Sequence, residues 1–118
     1  MHDQLGSITL ATLNSLKESG AKVITIPQVA SKNELLAAFG DQLPGMHSNN
    51  WDALDEALSG CEGIAQNVVY VVHLGVPGLP LDDMKIYKDI LQSVTQLHQN
   101  GKIDFHVALL GCDSPIND

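Results

Sequence analysis

The chain contains no arginine and is poor in basic residues of any kind. Its six basic residues are all lysines, against 14 acids, so the formal charge is −8 over 118 residues. Nucleic acids and anionic membranes bind positively charged protein surfaces, and we therefore expect neither as a partner. A basic protein is the partner that this charge favours, because opposite net charges speed association.

Cysteines, aromatic residues and long apolar runs are also scarce. Cys61 and Cys112 are too few and too far apart for a disulfide framework or a zinc knuckle, which favours reduced thiols in the cytoplasm. No segment reaches the roughly 18 apolar residues of a membrane helix, and no signal peptide is recognisable at the N-terminus. With 44% hydrophobic and 4% aromatic residues, we expect one globular domain with an aliphatic core.

The hydrophobic pattern predicts alternating helices and strands. Helices are predicted over residues 8–20, 31–43 and 51–59 and from Asp82 or Asp83 to about 100, and strands over 22–29, 67–74 and 103–110. The apolar run of the middle strand indicates a central position, whereas the alternation in 103–110 indicates an edge strand. Helical connections between the strands predict an α/β fold with a three-stranded parallel sheet.

Several local patterns predict where the helices begin, end and pack. Ser31 and Glu34 form a predicted capping box, Asn49 or Asn50 is expected to cap the helix at 51–59, and Gly60 to end it. The expected buried positions of the first helix are Leu10, Leu13 and Leu16, and those of the last helix are Tyr87, Ile90, Leu91, Val94 and Leu97.

The helix predicted at 51–59 has one apolar and one anionic side. At 100° per residue, Asp52, Asp55 and Glu56 fall with Ser59 within an arc of about 100°. Trp51, Leu54 and Leu58 fall on the opposite side, where we assign Trp51 to packing. The like-charge pairs cost about 0.2–0.5 kcal/mol each, and no basic residue stands between Lys32 and Lys85 to offset them.

Three interpretations of this anionic side are possible from the residues alone. It is a solvated surface, a binding surface for a basic partner, or a carboxylate pair for acid–base catalysis. The chain shows no glycine-rich phosphate loop, no metal-ligand spacing and no nucleophile motif, which argues against an enzyme and against a cofactor. His73 and His106 could approach each other, but no third ligand is spaced to complete a metal site.

The segment LPGMHSNNWDALDEALSG, residues 43–60, resembles the signature of the barstar family. The Leu-Pro pair and the Asn-x-Asp-Ala-Leu core at 50–54 carry the resemblance, and the order of helices and strands extends it over about 22–110. The resemblance implies a domain at 22–110, with an N-terminal helical extension at 1–21 and a C-terminal tail at 111–118. It also implies an intracellular inhibitor, in bacteria an antidote to a secreted ribonuclease.

In that family the acidic helix and the preceding loop plug the active site of the enzyme, where acids meet the groups that grip RNA phosphate. The resemblance gives Asp52 the role of the first interface acid and Glu56 that of the acid in the phosphate pocket. The partner-binding residues that it implies, together with Asp55 at a variable site, are Met46, His47, Asn50, Asp52, Asp55, Glu56, Ser59 and Gly60.

The chain departs from the family pattern at several of these positions. Met46 and His47 stand where the family has aromatic residues, and Glu56 is one methylene longer than the usual Asp. Asp55 could share the role of Glu56, and Gln96 stands near a peripheral acid of the family. These differences leave other partners open, namely another basic toxin such as a DNase or tRNase, or no nuclease at all, as in a cytoplasmic adaptor.

Overall fold

The computed structural model describes residues 6–110 of the chain. They form four parallel strands and four helices, and the predicted C-terminal tail at 111–118 lies outside the described residues. The strands are β1 (Gly6–Ile8), β2 (Lys22–Ile26), β3 (Val68–His73) and β4 (Asp104–Leu110). The helices are α1 (Leu10–Glu18), α2 (Lys32–Gly40), α3 (Trp51–Gly60) and α4 (Leu81–His98).

The predicted parallel sheet is confirmed, and it has one strand more than expected. The order is β1-β4-β3-β2, so β3 lies between β4 and β2 as predicted. The short strand β1 pairs with residues 108–110 of β4. The interpretation of 103–110 as an edge strand is therefore wrong for its second half, because a three-residue strand was too short to give a period-2 pattern.

The main core lies on the sheet face that is covered by α2, α3 and α4. Alternate strand residues, among them Ile24, Val71 and Phe105, pack there against buried side chains of the three helices. Val72 and Ala108 are buried outside this cluster, and their places along β3 and β4 put them on the opposite face of the sheet. Leu13 of α1 is likewise buried outside the cluster. We infer that α1 covers the other face of the sheet. Of the three leucines predicted to pack there, Leu13 is buried and Leu16 is half-buried, whereas the side chain of Leu10 lies outside the described part of the structure.

The starts of two helices differ in detail from the prediction. Ser31 caps α2 as expected, accepting from the Glu34 N–H at 3.2 Å, but the Glu34 carboxylate accepts from the Ala30 N–H at 2.7 Å. α4 begins after Pro80, with no side-chain cap from Asp82 or Asp83. Pro80 is the N-cap residue, and it has no side-chain oxygen that could accept from the N–H groups of the first turn.

The predicted apolar stripe of α4 ends one turn early. Tyr87, Ile90, Leu91 and Val94 are buried, whereas Leu97 is 56% exposed. The last turn of α4 contacts the core through His98 instead, which lies against the Phe105 ring at 5.4 Å between centroids and against the Leu58 carbonyl at 2.9 Å. A histidine can donate to a carbonyl at the end of α3, which leucine cannot do.

A single side chain covers part of the outer edge of the sheet. The amide of Gln42, just after α2, accepts from the Thr25 N–H at 2.9 Å and donates to the Thr25 carbonyl at 2.7 Å. It also donates to the Ala38 carbonyl at 3.0 Å. Because β2 is an edge strand, these bonds replace those of a neighbouring strand.

Candidate binding surface on helix α3

Helix α3 begins at a well-formed N-cap. Asn50 has an extended backbone, and its side-chain oxygen accepts from the Ala53 N–H at 2.7 Å. Of the two predicted N-cap residues, Asn49 and Asn50, it is therefore Asn50 that caps α3. Asp52 lies in the first turn, where the partial positive charge of the helix N-terminus stabilises a carboxylate.

The two sides of α3 differ as the periodicity predicts. Asp52, Asp55 and Glu56 are exposed. Leu54, Ala57 and Leu58, on the other side, are at most 3% exposed and belong to the main core. We call the outer side, made of Asp52, Asp55, Glu56, Ser59 and Gly60, the acidic surface.

The carboxylates of the acidic surface are not paired with basic groups in the described part of the chain. Asp55 accepts a hydrogen bond from the Ser59 hydroxyl at 3.3 Å. The one carboxylate contact with a basic side chain found within residues 6–110 joins His106 Nε2 to Asp104, at 2.8 Å, on a different element. The crowding of Asp52, Asp55 and Glu56 is therefore relieved in part by Ser59 and by the helix terminus, but by no cation.

The end of α3 differs from the prediction by one residue. The helix includes Gly60, and Cys61 is the residue in the left-handed conformation, with φ of 49°. The Cys61 thiol is buried and donates to the Leu58 carbonyl at 3.3 Å, and burial raises the pKa of this thiol. A side chain built on Gly60 would meet no atom within 4 Å, so packing does not require glycine there.

The loop before α3 lies beside the acidic surface and forms a shallow groove with the end of α2. Met46 is half-buried and packs on the main core, whereas His47 is exposed. The groove has a volume of about 430 Å³ and is lined by Ala37, Gly40, Asp41, Met46, His47, Ser48 and Asn49. A side chain on Gly40 would lie 3.3 Å from the Asn49 side-chain oxygen and would narrow this groove.

Trp51 links the acidic surface to the core. Its ring is stacked on that of Tyr87 at 6.2 Å between centroids and 27° between planes. The Lys32 ammonium lies 5.5 Å from the centroid of the Trp51 ring, a cation–π distance. The sequence analysis assigned Trp51 to packing but gave no sign of the Lys32 contact, because the two residues belong to different helices.

The histidines that were considered as a metal pair lie apart. His73 is fully buried and is hydrogen-bonded to Tyr87, whereas His106 is stacked on Tyr70 at 4.6 Å. Their positions on paired strands place them on opposite faces of the sheet. Among residues 6–110, no group of three or more His, Cys, Asp or Glu side chains is arranged to hold a metal ion.

Fold and surface together define an α/β protein with an acidic, helix-borne surface over an aliphatic core. The family model described as Barstar (barnase inhibitor) matches residues 21–109, which are 89 of the 118 residues. The chain belongs to the barstar family. A comparison with curated proteins gave no significant match. None of the helices described for residues 6–110 has the length and hydropathy of a membrane-crossing segment.

Proposed function

We propose that this protein inhibits a basic ribonuclease by covering its active site with the acidic surface and with Met46, His47 and Asn50 of the preceding loop. It acts without catalysis or cofactor, as an antidote in the cytoplasm of a bacterium. The observation that carries this function is the exposure of Asp52, Asp55 and Glu56 on one side of the family's matched helix.

The chemistry of a nuclease active site suits these carboxylates. Such a site holds arginine, lysine or histidine side chains that grip phosphate, and a carboxylate forms charge-assisted hydrogen bonds with the same groups. In the free protein these carboxylates have no basic partner within residues 6–110. Binding a basic active site therefore removes their mutual repulsion, and the net charge of −8 steers the encounter.

Gly60 supports a close approach by the partner. Glycine in the middle of a helix costs about 0.5–1 kcal/mol relative to alanine, and Gly60, as the last residue of α3, costs less than this. The fold gains nothing evident in return, because a side chain at this position would extend into open space. A partner that lies against the end of α3 would explain why no side chain is present there.

The test is inhibition of barnase, the ribonuclease that the family description names. We expect the protein to inhibit it, with an association rate that falls as salt is raised. Asp52→Asn and Glu56→Gln should each weaken inhibition by roughly 2–5 kcal/mol, because a buried partner charge is left unpaired. The matched control is Glu18→Gln, on α1, which should inhibit as the wild type does.

A panel of basic nucleases separates the alternatives. If the protein inhibits a basic DNase or tRNase but not barnase, its partner is that other phosphate-binding toxin and not a ribonuclease of the barnase type. If no basic nuclease is inhibited, or if Asp52→Asn and Glu56→Gln inhibit as well as Glu18→Gln does, the acidic surface is a solvated face and the proposal is wrong.

A further inference from the structure

Four side chains from four different elements form a continuous column beneath the first turn of α3. His73 of β3 is hydrogen-bonded to the Tyr87 hydroxyl of α4 through Nε2 at 2.5 Å. Tyr87 is stacked on Trp51, the first residue of α3, and the Lys32 ammonium of α2 lies 5.5 Å from the centroid of the Trp51 ring. We call His73, Tyr87, Trp51 and Lys32 the aromatic column.

The hydrogen bonds of His73 indicate the tautomer of its neutral ring. Nδ1 lies 3.1 Å from the Ala108 carbonyl oxygen, which can only accept, so Nδ1 carries a proton. In the neutral ring Nε2 is then the acceptor, and the Tyr87 hydroxyl donates to it. Burial lowers the pKa of His73, which the Ala108 hydrogen bond partly opposes, and burial raises the pKa of Tyr87.

A second proton on His73 has no place in this arrangement. It would occupy Nε2 and turn that atom into a donor, so the Tyr87 hydroxyl would have to accept instead, and its own proton would lose the acceptor that Nε2 provides. Of the groups that face His73, Ile26 and Leu109 are its neighbours on β2 and β4, and Tyr87 is the contact from α4. None of them offers a carboxylate to balance an imidazolium, so protonation leaves a buried charge unbalanced and the buried Tyr87 hydroxyl proton unpaired, and a displacement of Tyr87 from His73 would relieve both costs.

Movement of Tyr87 reaches the acidic surface through Trp51. The Tyr87 ring is held between Trp51 and Phe39, whose centroid lies 6.0 Å away in an edge-on arrangement. Trp51 follows the N-cap Asn50 and precedes Asp52 directly. A displaced Tyr87 thus removes the surface on which the first turn of α3 rests.

We propose that His73 and Tyr87 are positioning residues for the acidic surface, and that they hold Trp51 and the first turn of α3 in place only while His73 is neutral. At acidic pH this turn would then no longer be held in place, and the affinity for a basic partner would fall. The effect on binding rests on the proposed function, whereas the effect on Trp51 does not.

The direction of the pH effect follows from linkage. The imidazole of His73 binds a proton less readily in the folded protein than in the unfolded chain, where its pKa is about 6.5. The stabilisation is therefore complete above about pH 6.5 and is lost as the pH falls below that value. Binding should follow the same direction.

Trp51 is the single tryptophan of the chain, so its fluorescence reports on the column alone. The experiment compares the emission wavelength of Trp51 with far-UV circular dichroism between about pH 8 and pH 5, across the histidine range. We expect the wild-type emission to move to longer wavelength below about pH 6.5 while the helical signal is retained. No change in emission, or a simultaneous loss of both signals, would overturn the proposal.

Three variants assign the change to the column. His73→Gln removes the titrating group, while its amide oxygen can still accept from Tyr87, so the shift should disappear. Tyr87→Phe keeps the ring that stacks on Trp51 but removes the hydroxyl, so the shift should become smaller even if His73→Gln fails to fold. His106→Gln, on the other sheet face, is the control and should behave as the wild type. An equal shift in all four proteins contradicts the role of His73.

The consequence for binding is measured with barnase as the probe. The ratio of inhibition by wild type to inhibition by His73→Gln is compared at about pH 7.5 and pH 5.5, so that pH effects on barnase itself affect both measurements equally. One proton linked to binding changes this ratio by at most about tenfold per pH unit. Because the effect begins at about pH 6.5, only about one pH unit contributes, and we expect the ratio to fall by up to about tenfold. A constant ratio would overturn the coupling to binding. If barnase is inhibited at neither pH, the ribonuclease assignment fails, and the fluorescence result still decides the role of His73.

Discussion

The two sides of helix α3 contribute in opposite ways to the stability of the fold. On the inner side, Leu54 and Leu58 are fully buried among side chains of the sheet and of the neighbouring helices. On the outer side, Asp52, Asp55 and Glu56 repel one another in water. One side is therefore optimal for the isolated fold, whereas the other costs it free energy.

This contrast distinguishes a scaffold from a surface kept for another molecule. A side chain that serves the fold should destabilise it when removed. A side chain that serves a partner should be neutral or better to remove, and should reveal its role only in the complex. We therefore expect the loss in the free energy of unfolding to be largest for a substitution on the inner side and smaller for one at the N-cap. On the outer side, a substitution should leave this free energy unchanged or raise it.

The largest effect is expected on the inner side, at Leu58. Leu58→Ala should lower the free energy of unfolding by about 2–5 kcal/mol, because it opens a cavity among fully buried side chains. Urea unfolding measures the loss. Leu97→Ala is the matched control, and it should cost little because Leu97 is 56% exposed. Equal losses for the two variants would contradict the position of Leu97 on the surface.

An intermediate effect is expected at the N-cap, where the two sides of the helix meet. Asn50→Ala removes the acceptor of the Ala53 N–H and should lower the free energy of unfolding by about 1 kcal/mol. Thermal unfolding at fixed pH measures it. Asn49→Ala, one residue earlier in the exposed loop, should have little effect, and a larger loss there would mean that the cap has been assigned to the wrong asparagine.

The smallest effect, and the one with opposite sign, is expected on the outer side. Glu56→Gln should leave the free energy of unfolding unchanged or raise it by about 0–0.5 kcal/mol, because it removes the repulsion from Asp52. Low ionic strength should enlarge the gain. A clear loss of stability on thermal unfolding would make Glu56 part of the scaffold and would remove the contrast between the two sides.

Most of the fold was predictable from periodicity, because the decisive signals are local. The apolar run at 68–72 identified the central strand, and the pattern of α3 separated its two sides correctly. β1 was missed because three residues carry too little pattern, and its place in the sheet depends on residues 108–110, about a hundred positions away. The exposure of Leu97 was missed because His98 takes the contact with the core.

The carboxylates of the acidic surface were predictable, but the structure that supports them was not. Asp52, Asp55 and Glu56 share one helix, so their spacing alone places them together. His73, Tyr87, Trp51 and Lys32 come from four elements, and no spacing in the sequence connects them. The role of every residue on the surface remains a prediction until the partner is tested.

The amide of Gln42 has a consequence for how the protein behaves in a crowded solution. The outer edge of β2 is a template on which an extended segment of another polypeptide could form a ladder. The Gln42 side chain is hydrogen-bonded to both the N–H and the carbonyl of Thr25, near the middle of β2. It therefore takes the place of one residue of a further strand on this edge. The middle of this edge is therefore less available for pairing with the backbone of another chain.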